Sequence, residues 1–120
     1  MLRRQFRLQH AADFRDLRRD GHTYRHPMLI LIAAARNRPV SRFGFSASRR
    51  YGNAVARNRA RRLLRESIRL HLSSIHTGWD CLFIVRRPLA NASFQEVEAV
   101  VVGLLERAGL LDVAKRDTAQ

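Results

Sequence analysis

The chain has one cysteine, almost no lysine and no long apolar run. Cys81 is the only cysteine among 120 residues, which excludes an internal disulfide and a cysteine-based zinc site. No apolar run approaches the roughly 20 residues needed to cross a membrane. The basic first seven residues lead into a polar stretch and not into the hydrophobic region of a signal peptide. We therefore expect a cytoplasmic protein with no membrane partner.

The groups that carry enzymatic chemistry are also scarce. The 10 acids are separated from one another, and the 5 histidines are scattered over different predicted elements. No paired carboxylates, no metal-binding spacing and no glycine-rich phosphate loop are present. The residues alone therefore predict a binding protein, with no catalytic residue, no metal site and no cofactor in the protein.

Positive charge dominates what is present. The sequence has 23 basic residues against 10 acidic ones, a net charge of +13, and every basic residue except Lys115 is arginine. Arginine presents a planar fork that matches phosphate and also stacks on bases. Because 46% of the residues are hydrophobic, the chain can build a core, and its length predicts a single domain over residues 1–120.

One arginine-rich stretch, Arg49–Arg69, is predicted to be the main functional element. Gly52 permits a turn, and Asn53 can cap a helix that no proline or glycine interrupts before Gly78. At helical periodicity one face of this helix is apolar and carries Ala56, Ala60, Leu63, Leu64 and Ile68. Ser67 and His71 lie on the same face. The opposite face carries Asn58, Arg61, Arg62, Arg65 and Arg69.

Such a face can be merely solvated or can bind a polyanion. Solvated faces usually mix charges of both signs, whereas Arg57, Arg61, Arg65 and Arg69 form successive like-charge pairs at i,i+4. Each such pair destabilises an isolated helix by about 0.2–0.5 kcal/mol, and a bound polyanion would reverse that sign. The pattern therefore favours a nucleic-acid face.

The remaining elements predict an α+β fold. A short helix from His10 to Gly21 precedes strands at 28–36 and 42–48, and a strand at 80–87, closed by Pro88, follows the arginine helix. Ser93 and Glu96 form a capping box for a terminal helix that Gly109 stops. The order α-β-β-α-β-α predicts one sheet packed against helices as a sandwich. Residues 1–9 and the polar tail are expected to be loosely held.

Two features of the first half leave alternatives open. In the strand at 42–48, one face carries Phe43, Phe45 and Ala47, and the other carries Arg42, Gly44, Ser46 and Ser48. The second face suits either a phosphodiester backbone lying close against it or plain solvent. Phe14 on the first helix fits a core anchor, which its spacing favours.

Residues 44–69, GFSASRRYGNAVARNRARRLLRESIR, resemble the signature of the bacterial ribonuclease P protein component. That family carries a small-residue strand, two basic residues, Gly-Asn-Ala-Val and then an Arg-Asn-Arg helix. The matching residues are Ser46, Ser48, Arg49, Arg50, Gly52, Asn53, Ala54, Val55, Arg57, Asn58, Arg59, Arg62 and Arg65. The likeness extends over most of the chain, through Asp13, Phe14, Gly21, Arg87 and Pro88.

The resemblance implies a function that the residues alone do not give. Ribonuclease P removes the 5′ leader from precursor tRNA, and its catalyst is a large RNA with bound Mg²⁺, so Mg²⁺ is expected in the holoenzyme and not in the protein. The catalytic-RNA-binding residues are then Arg49, Arg50, Asn53, Arg57, Asn58, Arg59, Arg61, Arg62, Arg65 and Arg69. No DNA partner is expected.

The resemblance also implies a cleft between the first helix and the sheet that contacts the single-stranded leader. Its residues in this chain are Phe14, Arg18, Arg42, Ser46 and Ser48. Members of the family often have a second aromatic residue where this sequence has Arg18, so that stacking rests on Phe14, with Arg18 supplying a cation or planar stacking. The family fold has a left-handed β-α-β crossover, against the usual rule.

Two other classes share parts of this pattern. A small basic ribosomal-type RNA-binding protein has the same composition but does not require the Gly-Asn-Ala-Val and Arg-Asn-Arg arrangement. A DNA-architectural protein has dimer-forming strands and an arm that enters a groove, which the capped terminal helix and single domain argue against.

Overall fold

A computed structural model describes residues 2–87, Leu89 and 91–112, except for the side chain of Tyr51. Its helices and strands follow one another along the chain as α1 (Ala11–Asp20), β1 (His22–Arg25), β2 (Leu29–Ala35), β3 (Arg42–Ser46), α2 (Ala54–His71), β4 (Trp79–Val85) and α3 (Phe94–Arg107). Short 3-10 helices span Arg4–Phe6, Arg49–Tyr51 and Leu72–Ser74. The expected closure of β4 by Pro88 and the expected fraying of the tail after Asp112 lie outside the described residues.

The strands form one sheet in the order β1-β2-β4-β3. β2 pairs antiparallel with β1 and β4, whereas β3 runs parallel to β4. A parallel neighbour needs a crossover connection, and α2 supplies it, so β3, α2 and β4 form a β-α-β unit. The mixed α+β sandwich expected from the sequence is confirmed.

The sheet separates two apolar clusters. Alternate residues of the central strands, such as Leu31 and Phe83, face the larger cluster, which α2 and α3 cover. The residues between them, such as Ile32 and Leu82, face a smaller cluster that includes Leu17 of α1. Strand alternation therefore places α1 on one side of the sheet and the two longer helices on the other.

Two predictions for the first half were wrong. The expected order lacked β1, a four-residue edge strand whose side chains are mostly exposed, so the order is α-β-β-β-α-β-α. The segment before α1 is packed and not loosely held: Leu2 is 1% exposed, and the Leu8 amide donates to the Phe43 carbonyl at 2.9 Å. Leu8 itself joins the smaller cluster. The segment thus covers the free edge of β3.

The predicted starts of α2 and α3 are confirmed by capping contacts. The Asn53 side chain accepts a hydrogen bond from the Ala56 amide at 2.9 Å and starts α2. Ser93 and Glu96 form the expected capping box at the start of α3. Although no proline or glycine occurs before Gly78, α2 ends at His71, earlier than the expected end near His76–Gly78, and the chain continues as the 3-10 helix Leu72–Ser74. No helix of the described residues is long and apolar enough to span a bilayer.

Candidate nucleic-acid interface

The long helix α2 separates an apolar face from a basic one, as its sequence predicts. Ala60, Leu64, Ser67 and Ile68 are buried against the larger cluster. Arg62 and Arg69 are exposed, and Arg61 and Arg65 are partly buried. An open depression of about 630 Å³ lies over this side of the helix, lined by Asn58, Arg61, Arg62, Arg65 and Glu66. We call this the α2 basic face.

Several arginines of α2 are held by local hydrogen bonds. Arg57 donates to the Gly52 carbonyl at 3.0 Å, and Arg61 donates to Oδ1 of Asn58 at 3.1 Å. The Nε of Arg69 donates to Glu66 at 3.0 Å, and this contact raises the pKa of Arg69. These bonds orient the guanidinium groups while leaving further N–H donors on each of them.

Arg59 has a structural contact that the sequence does not reveal. Its guanidinium donates to the backbone carbonyls of Leu89 at 2.7 Å and Ala92 at 3.0 Å. Both carbonyls lie in the segment between β4 and α3. Arg59 therefore ties α2 to this segment, and its role in binding RNA stays a prediction.

The turn before α2 holds Arg49 and Arg50 at the start of the helix. Ser48 lies beyond the end of β3, and its Oγ accepts a hydrogen bond from the Arg50 amide at 3.1 Å. Ser48 therefore caps the 3-10 helix Arg49–Tyr51. Gly52 has φ +134°, a conformation that favours glycine, and a Cβ there would lie 2.8 Å from that of Ala56. Both arginines are exposed near the N-terminus of α2, where the helix dipole favours anions.

Arg7, which was not among the predicted site residues, adds to the α2 basic face from the segment before α1. It approaches Arg65, and Nε of each residue is buried with no hydrogen-bond partner. Burial and then the charges of Arg7 and Arg61 lower the pKa of Arg65. The charges of Arg7 and Arg61 thus act on Arg65, and among the described residues none of the three forms an ion pair with an acid, an arrangement that a phosphate would stabilise.

A second surface lies on the other side of the sheet, beneath α1. The partly buried Phe14 rests on the smaller cluster together with Ile30 and Ile84. Strand register places Ser46, Ile84 and Ile30 side by side across β3, β4 and β2. We call Phe14 and this row the α1 cleft. Arg18 is exposed on α1.

Ile30 and Ile84 were not predicted as site residues, because each lies within an apolar run. Their signal was the alternation itself, since each lies between residues that face the larger cluster.

Arg42, predicted to be a cation of this cleft, is paired within the protein. It donates to Asp80 at 2.9 Å and lies 3.3 Å from Asp13, with 17% of its side chain exposed. The hydrogen bond to Asp80 raises the pKa of Arg42. Its charge is therefore matched by two carboxylates, and its contact with a leader stays a prediction.

The described residues offer no preformed metal site. Among them, no three His, Cys, Asp or Glu side chains are placed so that they could hold a metal ion. His71 and Glu98 join α2 to α3 through a contact of 2.9 Å. Cys81 is fully buried, and burial raises the pKa of its thiol.

Comparison with known proteins agrees with this geometry. The Ribonuclease P family model matches residues 2–109. The ribonuclease P protein component of Roseiflexus castenholzii is 43% identical over 118 residues, which are 98% of this chain and 97% of that protein. That of Chloroflexus aurantiacus is 41% identical, over 98% of this chain and 87% of that protein.

Solved structures show the same fold. The ribonuclease P protein of Staphylococcus aureus superposes with a TM-score of 0.81 at 26% identity, covering 89% of this chain and 98% of that one. That of Thermotoga maritima gives a TM-score of 0.78 at 27% identity, covering 84% and 96%. The chain therefore belongs to the ribonuclease P protein component family, the protein subunits of the ribonucleoprotein that processes tRNA.

Proposed function

We propose that this subunit binds two RNAs at once, the catalytic RNA of ribonuclease P on the α2 basic face and the 5′ leader of precursor tRNA in the α1 cleft. The observation that carries the proposal is the placement of these surfaces. α2 packs on one side of the sheet, and α1 packs on the other. One rigid sheet therefore fixes the distance between two RNA-binding surfaces of different character.

The α2 basic face suits a folded RNA. Its guanidinium groups, including Arg62 and Arg65, lie along one side of an 18-residue helix. Arginine forks bind phosphates bidentately. Because the charge of Arg7 acts on Arg65, and neither forms an ion pair among the described residues, the free protein carries a like-charge repulsion that a phosphate would relieve. We therefore assign Arg7 to this face together with the arginines of α2.

The α1 cleft suits an unpaired strand. Phe14 offers an aromatic ring. Ile30, Ile84 and Ser46 line the sheet side of the cleft with apolar and weakly polar side chains. Aromatic stacking is the usual, sequence-tolerant way of holding single-stranded nucleotides. Arg18 on the same helix supplies an exposed cation.

In this proposal the RNA component, with Mg²⁺, performs the hydrolysis, and the protein holds the substrate. Two of the protein's ionisable groups are held within the fold: Asp80 accepts hydrogen bonds from arginines, and His71 contacts Glu98. The protein's positive charge would also reduce the repulsion between precursor tRNA and catalytic RNA, so that less Mg²⁺ is needed.

Reconstitution tests the proposal. We expect the purified protein to restore precursor-tRNA cleavage at low Mg²⁺ to a ribonuclease P RNA that needs high Mg²⁺ alone. The protein without RNA should not cleave. Cleavage at the mature 5′ end by nuclease-treated, RNA-free protein would overturn the assignment of the chemistry, and failure to lower the Mg²⁺ requirement would overturn the assignment of the binding.

A further inference from the structure

Asp80, at the start of β4, gathers three arginines from different parts of the chain. Its side chain is 3% exposed, and Arg38 and Arg42 each donate to its two oxygens at 2.9–3.1 Å. Nε of Arg36 lies 3.6 Å from the same carboxylate. Such a carboxylate is a strong electrostatic centre because it is largely shielded from water.

One carboxylate cannot balance three guanidinium groups, and the two missing negative charges come from α1. Arg42 reaches Asp13 in the first turn of that helix at 3.3 Å. Arg36 donates to Asp20 in its last turn at 3.0 Å. The Asp80 network, which we define as these three aspartates and the three arginines, therefore holds α1 at both ends.

The apolar attachment of α1 is small by comparison. Within Ala11–Asp20, all of which the structure describes, Leu17 is the one buried side chain. Phe14 adds a partly buried ring that rests on Gly44. A helix with so little buried surface has few other contacts that fix its height and tilt above the sheet.

We propose that the Asp80 network positions α1 above the sheet and so sets the width of the α1 cleft for a single-stranded RNA leader. Asp13, Asp20 and Asp80 are then positioning residues that act through Phe14. The inference rests on the proposed function of the cleft and adds to it the residues that determine its preference for a substrate with a leader.

Asp13→Asn is the informative variant, because Asp13 is partly exposed and its replacement is milder than that of Asp80. Asp16→Asn is its matched control. Asp16 lies on the same helix and pairs with exposed Arg19 at 3.3 Å, away from the Asp80 network. Both variants remove one negative charge, so any general gain in RNA affinity should be equal in the two.

The readout is the ratio of holoenzyme affinities for precursor tRNA with an unstructured 5′ leader and for mature tRNA. We expect Asp13→Asn to lower this ratio by roughly two- to tenfold, within the range that contacting residues of a network transmit, and Asp16→Asn to leave it unchanged. Asp20→Asn should act in the same direction as Asp13→Asn. Thermal unfolding of each variant is measured beside the affinities.

A double variant shows whether Asp13 acts through Phe14. On a Phe14→Ala background, Asp13→Asn should have no further effect on the ratio. An equal loss of affinity for both tRNAs, together with a lower melting temperature, would show a structural role alone and overturn the inference.

The Phe14→Ala variant alone separates a failure of this inference from a failure of the proposed function. If Phe14→Ala lowers the ratio and Asp13→Asn does not, the inference fails while the leader cleft stands. If Phe14→Ala leaves the ratio unchanged, the leader cleft and the inference fail together.

Discussion

Phe14 lies directly on Gly44, because residue 44 has no side chain. A Cβ at that position would lie 2.6 Å from Cε1 of Phe14 and 3.1 Å from Cδ1 of Leu8. A real Cβ essentially never lies this close to another heavy atom, so the ring would have to move. The glycine is thus needed for close approach and not for its backbone conformation, and it sets the height of the ring above β3.

Replacing Gly44 by alanine should therefore displace Phe14 from the α1 cleft. We expect a loss of about 1–3 kcal/mol in the free energy of unfolding, the usual cost of overpacking, and a weaker preference for precursor over mature tRNA. Chemical denaturation and the two tRNA affinities check this.

Gly103→Ala is the matched control, since a Cβ there meets nothing within 4 Å. Because it removes a glycine from the interior of α3, it should raise stability by about 0.4–1 kcal/mol. Equal behaviour of the two variants would contradict the role given to Gly44.

Truncating Phe14 itself should show whether its ring binds RNA or only packs. If the ring stacks on a leader nucleotide, Phe14→Ala weakens precursor binding to the holoenzyme by roughly 1–3 kcal/mol and hardly changes mature tRNA binding. Truncating a fully buried aromatic residue costs about 3–5 kcal/mol in the free energy of unfolding. Because the Phe14 ring is only partly buried, we expect a smaller loss. A large fall in melting temperature with no precursor-selective loss would leave Phe14 as a core residue.

The sequence predicts those parts of the fold that depend on local patterns. Examples are the cap at Asn53, the capping box at Ser93 and the apolar stripe of α2. Each depends on residues that are close together in the sequence, and the structure confirms all three. The strand β1 was not predicted, because it has only four residues, is polar at both ends and is mostly exposed. The packing of Leu2 and Leu8 could not be predicted from local patterns, because the residues that they contact lie far along the chain.

The same limit explains which contacts of the site residues the sequence does not reveal. A sequence shows that Arg42 and Arg59 are cations, but their partners, Asp80 and the carbonyl of Leu89, are 38 and 30 residues away. Periodicity gives the direction of a side chain on its own element and not what another element brings to it. The approach of Arg7 to Arg65 is of the same kind.

On the α2 basic face, Arg62→Ala should weaken binding to the catalytic RNA and reduce its salt dependence. One lost phosphate contact lowers the slope of log affinity against log salt by roughly one. Helix stability should not fall, because Arg62 lies on the exposed side. Arg19→Ala, which removes an exposed arginine from α1 on the other side of the sheet, is the control. Unchanged affinity of the Arg62 variant at several salt concentrations would show that this face is merely solvated.

Arg7→Gln should separate folding from RNA binding at the contact with Arg65. Removing one of three clustered guanidinium groups relieves like-charge repulsion, so we expect thermal stability at low salt to be at least that of the wild type. Binding to the catalytic RNA should weaken.

Arg4→Gln is the control for Arg7→Gln, since Arg4 lies in the same segment, exposed and bonded to Gln9 at 3.0 Å. Equal losses of RNA affinity in the two variants would reduce Arg7 to a contribution of general charge.

Asp80 should make the stability of the protein depend on pH in the acid range. Burial by itself would raise the pKa of Asp80, but hydrogen bonds from Arg42 and Arg38 outweigh it and leave this pKa below its ordinary value. A carboxylate with a depressed folded-state pKa stabilises the fold above the unfolded pKa of about 3.9. That contribution is lost as the pH falls from there through the folded-state pKa.

Asp80→Asn removes this titration. At neutral pH we expect it to cost about 1.5–3 kcal/mol, the usual contribution of hydrogen bonds to a charged group, because the partly exposed Arg38 and Arg42 lose a carboxylate partner. The difference in unfolding free energy between wild type and variant should then shrink as the pH falls below about 4, because the wild-type carboxylate becomes protonated while the arginines stay charged. Urea unfolding of both proteins at several pH values measures it, with Asp16→Asn as the exposed control. A difference that stays constant through the acid range would mean that ionised Asp80 is not what stabilises the network.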